Sequence, residues 1–255
     1  MKTITLLSFL FFGCGTAVLE NQQHQLAGTL WVQKAAENRA LYYQAFNIAR
    51  HRLDIDLRYH KSKKPRAIIV DIDETILNNS PYQAENIMGK KSYTSASWFN
   101  WIKKSSAKTT AGSLEFLRYV AKKGVEIFYI SNRKVRGFHK TYQNLKKEGF
   151  PVKKKNLLLK TTTSHKSARR SKVLIDYRVV LLMGDNLGDF SDAFNKKSIG
   201  ERFAKTDLLK SEFGKKFIML PNPMYGEWLN AIYKYKHDLS FEKAQKYRLK
   251  ELVTK

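Results

Sequence analysis

The chain has 255 residues, 43% of them hydrophobic, with only 13 Gly and 5 Pro, which excludes a disordered or fibrous protein and allows one packed domain with a small appendage. Its 47 Lys and Arg against 22 Asp and Glu give a formal charge of +25, so either lysines simply solvate the surface or the partner is anionic: nucleic acid, an acidic membrane surface or a phosphorylated small molecule. The single cysteine, Cys14, excludes an intrachain disulfide.

Residues 1–17 read as an export signal: a short basic start at Lys2, an apolar run over 4–12 that is too short to span a bilayer, then Gly13 and Cys14. Two processing readings compete. A lipoprotein cut before Cys14 would leave an N-terminal cysteine carrying lipid; an ordinary cut after Ala17 would use Gly15 and Ala17 as its small residues and release a soluble periplasmic protein. Residues 18–29 are polar and read as a tether. A main domain then runs from 30 to 235. Leu41, Ala45, Ala49 and Leu53, with Ile48 beside them, predict a helix over 30–57. After a basic turn at 61–65, residues 67–73 form an apolar run ending in carboxylates, the pattern of a buried parallel strand. Residues 76–110 are aromatic and polar without a strong period and read as a small helical cap inserted above the sheet. Helix and strand then alternate: helix 111–123 closed by Gly124, strand 125–130, helix 136–148 closed by Gly149, strand 157–159, helix 165–175, and strands at 179–183 and 217–220. This rhythm predicts an α/β fold with a parallel sheet flanked by helices. Residues 236–255 form a lysine-rich, weakly amphipathic tail.

Open parallel sheets bind ligands at the carboxyl ends of their strands. Here those ends carry Asp71-Ile-Asp73-Glu-Thr75, Ser131-Asn132-Arg133 and Gly184-Asp185-Asn-Leu-Gly-Asp189-Phe190. Asp71 and Asp73 alone could merely end a strand, and residues two apart point to opposite faces unless the chain curls. With Ser131, Asp185 and Asp189 at neighbouring strand ends, four carboxylates converge. Burying them together is costly without a cation, and Mg²⁺, which takes oxygen ligands and keeps substrate phosphate in its shell, is the natural one.

Asp-Ile-Asp-Glu-Thr at 71–75 resembles the first motif of the haloacid dehalogenase superfamily; Ser131, Lys166 and the 184–190 segment look like its second, third and fourth. More narrowly the chain resembles the class C nonspecific acid phosphatases, many of which are outer-membrane lipoproteins. That likeness rests on residues 31–40, 71–82, 128–133, 166–169, 184–190 and 217–228 and runs from about 30 to 230. It implies a Rossmann-like sheet with a helical cap, and a phosphate monoester hydrolase with Asp71 as nucleophile and Asp73 as general acid and base. It implies Mg²⁺ held by Asp71, the Asp73 carbonyl and Asp185, with Asp189 supporting the metal waters or orienting Lys166. Ser131 and Lys166 would hold the phosphoryl oxygens, with Asn132 and Arg133 as helpers. Lys160, Arg169, Arg170 and Lys172 compete with Lys166 for the third-motif role; the Lys-Ser-Ala-Arg match selects Lys166. Gly188 stands where many relatives carry an acid.

In the resembled family, aromatic residues at the positions of Trp98 and Tyr225 clamp the leaving group of nucleoside monophosphates, which makes nucleotides the expected small-molecule partners; Trp101 is expected to pack inward instead. The family also implies a homodimer, export, and a lipid anchor on Cys14 in the outer membrane. A non-catalytic surface protein that binds haem or nucleic acid, or acts as an adhesin while keeping the fold, is the rival from another class. No helix-turn-helix, zinc ligand set or RNA-binding motif accompanies the basic runs, so no specific nucleic-acid partner is expected.

Overall fold

The computed structural model describes residues 23–254. Two helices come first, α1 (Gln23–Lys34) and α2 (Ala36–Tyr59), followed by β1 (Arg66–Val70), β2 (Leu77–Asn78), α3 (Ser80–Met88), α4 (Ser95–Lys104), β3 (Lys108–Thr109) and α5 (Ser113–Lys122). Then come β4 (Glu126–Lys134), α6 (Phe138–Lys147), β5 (Leu157–Lys160), α7 (Ser167–Asp176), β6 (Arg178–Gly184), α8 (Ile199–Leu208), β7 (Phe217–Met219), α9 (Glu227–Ile232) and α10 (Phe241–Lys250).

Five strands form one parallel sheet in the order β5-β4-β1-β6-β7. In β1, residues 67–70 are all buried, because both faces of the sheet are covered. Ile68 and Val70 enter a core with Tyr42, Phe46, Ala49 and Leu53 of α2, Leu117 of α5 and Leu145 of α6. Ala67 and Ile69 alternate onto the other face, with Val173 of α7 and Phe190. The chain leaves β1 toward β4 and β5 on one side and returns to β6 and β7 on the other, so the strand order reverses at β1. A crevice must therefore open at the carboxyl end of β1, between β4 and β6.

Two local readings change. Residues 23–29, expected to be part of the tether, are the first turns of α1. This helix packs on α3 and brings Gly28 so close to the loop after β7 that a Cβ there would meet Pro223 O at 2.8 Å. The helix expected over 30–57 is two helices, parted at Ala35, and its inward face carries Tyr42 and Phe46, whereas Leu41 is 40% exposed. The insertion over 76–110 is a small cap: α3 and α4, with the two-stranded β2-β3 ribbon at its base. Thr94 and Ser97 form a capping box at the start of α4. The tail holds α10, none of whose residues is buried. Among the described residues no helix is long and apolar enough to cross a membrane.

At the opposite end of the sheet, Asp56 of α2 pairs with Arg66 of β1 at 2.7 Å and also with Arg178 of β6. One carboxylate thus ties α2 to two central strands. The two guanidinium groups outweigh the effect of burial and hold Asp56 below the usual carboxylate range.

Candidate active site

The Asp71 N–H donates to Met183 O at 2.9 Å, extending the β1–β6 pairing one residue past the strand and delivering the carboxylate to the crevice. Glu74 then turns the chain in the left-handed region, with φ of 55°. This curl lets Asp73 line the same cavity as Asp71, where a continued strand would have turned it to the other face. The cavity has a volume of about 570 Å³ and is also lined by Ser131, Asn132, Arg133, Lys166, Asp185 and Asp189, with Trp98 and Tyr225 at its sides.

Lys166, just ahead of α7, is buried, with Nζ 2.5 Å from Asp71 Oδ1 and 2.5 Å from Asp189 Oδ1. The two carboxylates outweigh the burial that disfavours an ammonium, and Lys166 is held above its ordinary range. The four competing basic residues lie elsewhere. Arg169 donates to Ser131 O and to Asn132 Oδ1, Arg170 to Gly188 O, Asp189 O and Asp192, Lys160 stands at the cavity mouth, and Lys172 is exposed.

Asp185 follows Gly184 at the end of β6, and its Oδ2 accepts from Asn222 at 2.8 Å. Gly184 is required there: a Cβ would meet Asp189 Oδ2 at 2.1 Å. Asp189 Oδ2 in turn accepts the Asn186 N–H at 3.0 Å, so the fourth motif folds its second aspartate back beside its first. Oxygens of Asp71, Asp185 and Asp189 all lie within 4.8 Å of one another.

Their electrostatics test whether a cation fits. Burial pushes Asp71 up to about 7; Lys166 opposes this, and Asp189 and Asp73 add to it. Burial, then Asp189 and Asp71, pushes Asp185 well above the carboxylate range against the Asn222 hydrogen bond. Three crowded carboxylates face one lysine, an excess of negative charge on hard oxygen donors. A divalent cation that prefers oxygen fits this donor set.

Asp73 is held differently. Its Oδ1 accepts from Arg133 Nη2 at 2.8 Å, from Arg133 Nε at 3.0 Å and from Asn79 Nδ2 at 2.9 Å; the Ser131 hydroxyl is 3.4 Å from Oδ2. Arg133 is almost fully buried, with its Nη1 on Thr141. Ser131 Oγ also accepts the Arg133 N–H at 3.1 Å. Asn132 is exposed at the rim. Trp101 packs inward, its indole N–H donating to Asn79 Oδ1 at 2.8 Å, which couples the cap to the loop that carries Asp73. Trp98 meets Tyr82 edge to face at 5.1 Å and lies 5.8 Å from the Arg133 guanidinium.

Glu74, Asn79 and Asn222 escaped the sequence reading. Glu74 is buried; burial, then Asp73 and Asp185, push its carboxyl well up, and it accepts from Asn79 and from the Tyr225 hydroxyl. Its carbonyl accepts from the Tyr42 hydroxyl of α2. The Tyr225 ring at the cavity side is therefore anchored to the first-motif loop. The one sequence signal was an acid inside the motif with no role. Cys14 lies outside the described residues.

A parallel sheet that gathers two aspartates from one strand end, a serine from the next, a buried lysine and two more aspartates defines a hydrolase site of the HAD superfamily. The family model for HAD superfamily, subfamily IIIB (acid phosphatase) matches residues 15–228, and the chain belongs to that family of phosphomonoester hydrolases. The class C acid phosphatase of Bacillus anthracis is 41% identical, with a TM-score of 0.88 over 93% of this chain and 99% of that one. A structure of the class C enzyme from the same organism with tungstate bound is 40% identical, with a TM-score of 0.87 and the same coverage. Acid phosphatase 1 of Solanum lycopersicum is 29% identical over 164 residues, 62% of this chain and 57% of that protein, so the chain spans less than two thirds of this relative's length.

Proposed function

We propose that the protein is a Mg²⁺-dependent acid phosphatase that hydrolyses phosphate monoesters, nucleoside 5′-monophosphates among them, through an aspartyl-phosphate on Asp71. The observation that carries this reading is the placement of Asp71 and Asp73 in one cavity with separate partners: Lys166 on the first and the Arg133 fork on the second.

In the first step an Asp71 oxygen attacks phosphorus. The bond to the ester oxygen breaks, its electron pair stays with that oxygen, and Asp73 delivers the proton it needs. Arg133 and Asn79 hold the Asp73 carboxyl in the crevice. The Lys166 ammonium and the Ser131 hydroxyl face the transferring oxygens, where negative charge is concentrated. In the second step Asp73 takes a proton from water as the water attacks the aspartyl-phosphate, releasing inorganic phosphate and restoring both aspartates. Mg²⁺, held by Asp71, Asp185 and the Asp73 carbonyl, would offset the repulsion between nucleophile and phosphate. The tungstate bound by the Bacillus anthracis relative, an oxyanion shaped like phosphate, supports an oxyanion site here. Trp98 and Tyr225 flank the space for the leaving group and suit a stacked base.

The protein is further taken to be exported, anchored by lipid on Cys14 and dimeric, as the family resemblance implies; membrane fractionation of Cys14→Ser and light scattering test these points. Activity is tested by phosphate release from nucleotides, sugar phosphates and phosphotyrosine after exhaustive dialysis against EDTA, with and without added Mg²⁺. Loss of turnover on dialysis and its return with Mg²⁺ is the expected result. Full turnover after dialysis contradicts the metal requirement, and no turnover of any ester contradicts the activity.

A further inference from the structure

A side pocket of about 50 Å³ lies beside the reaction cavity, lined in part by Tyr93, Trp98, Phe99, Lys134, Arg136 and Lys160. Tyr93, Trp98, Asn132 and Lys160 line both spaces, so the two are adjacent. At about 10–15 Å³ per water, the pocket has room for a few waters and so for a group the size of a phosphate.

The backbone builds this pocket. The β4–β5 ladder shifts register between Ser131 and Lys134, and the shift pairs Lys134 with Lys160 on the neighbouring strand. Adjacent strands lie about 4.8 Å apart, and like charges placed opposite each other are destabilising. Neither lysine, nor Arg136, forms an ion pair with a carboxylate among the described residues. Their partners are neutral: Lys134 donates to Ser95 Oγ at 3.0 Å, Arg136 to Ser95 O at 3.1 Å and Lys160 to Ser164 Oγ at 3.1 Å. The Arg136 guanidinium is held 4.3 Å over the Phe99 ring. Burial, then the neighbouring charges of Lys134 and Arg169, lowers the Lys160 ammonium below its ordinary range. The cations of the reaction site, by contrast, are matched: Lys166 with Asp71 and Asp189, Arg133 with Asp73.

We propose that Lys134, Arg136 and Lys160 form a subsite for a second phosphate group of the substrate, so that nucleoside bisphosphates are preferred to monophosphates. This rests on the phosphatase reading above. One phosphate is cleaved at Asp71, the base lies against Trp98, and the other phosphate sits between the paired lysines and the arginine fork. Two point charges and a planar guanidinium suit a phosphate dianion better than a single carboxylate.

The test compares kcat/KM for adenosine 3′,5′-bisphosphate and adenosine 5′-monophosphate in the wild type and in the double variant Lys134→Gln/Arg136→Gln. Each partly exposed charge contact is a factor of about 1.5 to 5, so three together give about a tenfold preference for the bisphosphate. The double variant loses most of that preference and keeps its monophosphate kcat/KM within about twofold, which also shows that it is folded. In the wild type the preference falls as ionic strength rises, because exposed charges are screened. Equal kcat/KM on the two substrates in the wild type, or a preference that survives in the double variant, overturns the subsite and leaves the phosphatase reading standing. No turnover of either substrate by the wild type overturns the subsite together with the nucleotide part of the phosphatase reading.

Discussion

Asp73→Asn separates holding the substrate from protonating its leaving group, and the structure sets the size of each effect. The carboxylate takes three charge-assisted contacts, from Arg133 Nη2 at 2.8 Å, from Arg133 Nε at 3.0 Å and from Asn79 at 2.9 Å. An asparagine keeps one acceptor oxygen but turns an NH₂ toward the guanidinium or the Ser131 hydroxyl. Stranding a buried charge costs about 3–5 kcal/mol. The Arg133 side chain is 1% exposed but that of Asp73 is 18% exposed, so water reaches one side of the pair and the cost falls near the lower bound, about 3 kcal/mol. For a chain of this size that is a fall in Tm of about 6–12 °C. The chemical effect is separate. Losing the general acid removes about 10²–10⁴ in rate where the leaving group is a nucleoside alkoxide. Nitrophenolate leaves with little help, so its first step loses less; aspartyl-phosphate then accumulates, because no base activates the water of the second step. The assay is kcat/KM on adenosine 5′-monophosphate and on nitrophenyl phosphate, each relative to wild type and below the variant's own Tm. Equal fractional losses on the two esters would refute Asp73 as the leaving-group acid, and an unchanged Tm would refute the stability argument.

Lys166→Met leaves Asp71 and Asp189 without their shared cation and removes a phosphoryl contact; kcat is expected to fall by about 10²–10³, and a smaller loss in steady-state kinetics would assign the phosphate to other donors. Trp98→Ala and Tyr225→Ala are expected to cost about 1–3 kcal/mol in transition-state binding of nucleotides and much less with a small phosphate ester; equal losses on both would mean that the rings only support the fold. Asp56→Asn is expected to lower Tm near neutral pH, because it strips Arg66 and Arg178 of their common partner. The folded state holds Asp56 below the ordinary carboxylate value of about 3.9, so its contribution is present above that pH and is lost as pH falls through the lower folded value. The gap in Tm between wild type and variant should therefore close in acid below about pH 4, and a gap independent of pH would exclude the charge as its source.

Much of this protein follows from local sequence. The central strands were legible because parallel strands covered on both faces are continuous apolar runs, and their carboxyl ends are where Asp71, Asp73, Ser131 and Asp185 stand. Glycines at 124 and 149, both at positive φ, marked the ends of α5 and α6. Other features had no local signal. The first turns of α1 are polar with a weak apolar stripe and are held by α3 and the loop after β7, so they read as a tether until their neighbours are known. Tyr42 and Phe46, not Leu41, face the core, and which face of α2 is covered is settled only when the helix packs. Five basic residues compete in sequence for one role; the Lys-Ser-Ala-Arg match points to Lys166, but its partner Asp71, 95 residues earlier, is met only in the folded chain. Arg133 meets Asp73 across 60 residues, Tyr225 meets Glu74 across 151, and Lys134 faces Lys160 through a shift in strand register. Periodicity and turn chemistry act over a few residues and settle what each segment becomes. Which charge stands beside which depends on strand order, register and burial, and these exist only once the sheet has closed its two cores.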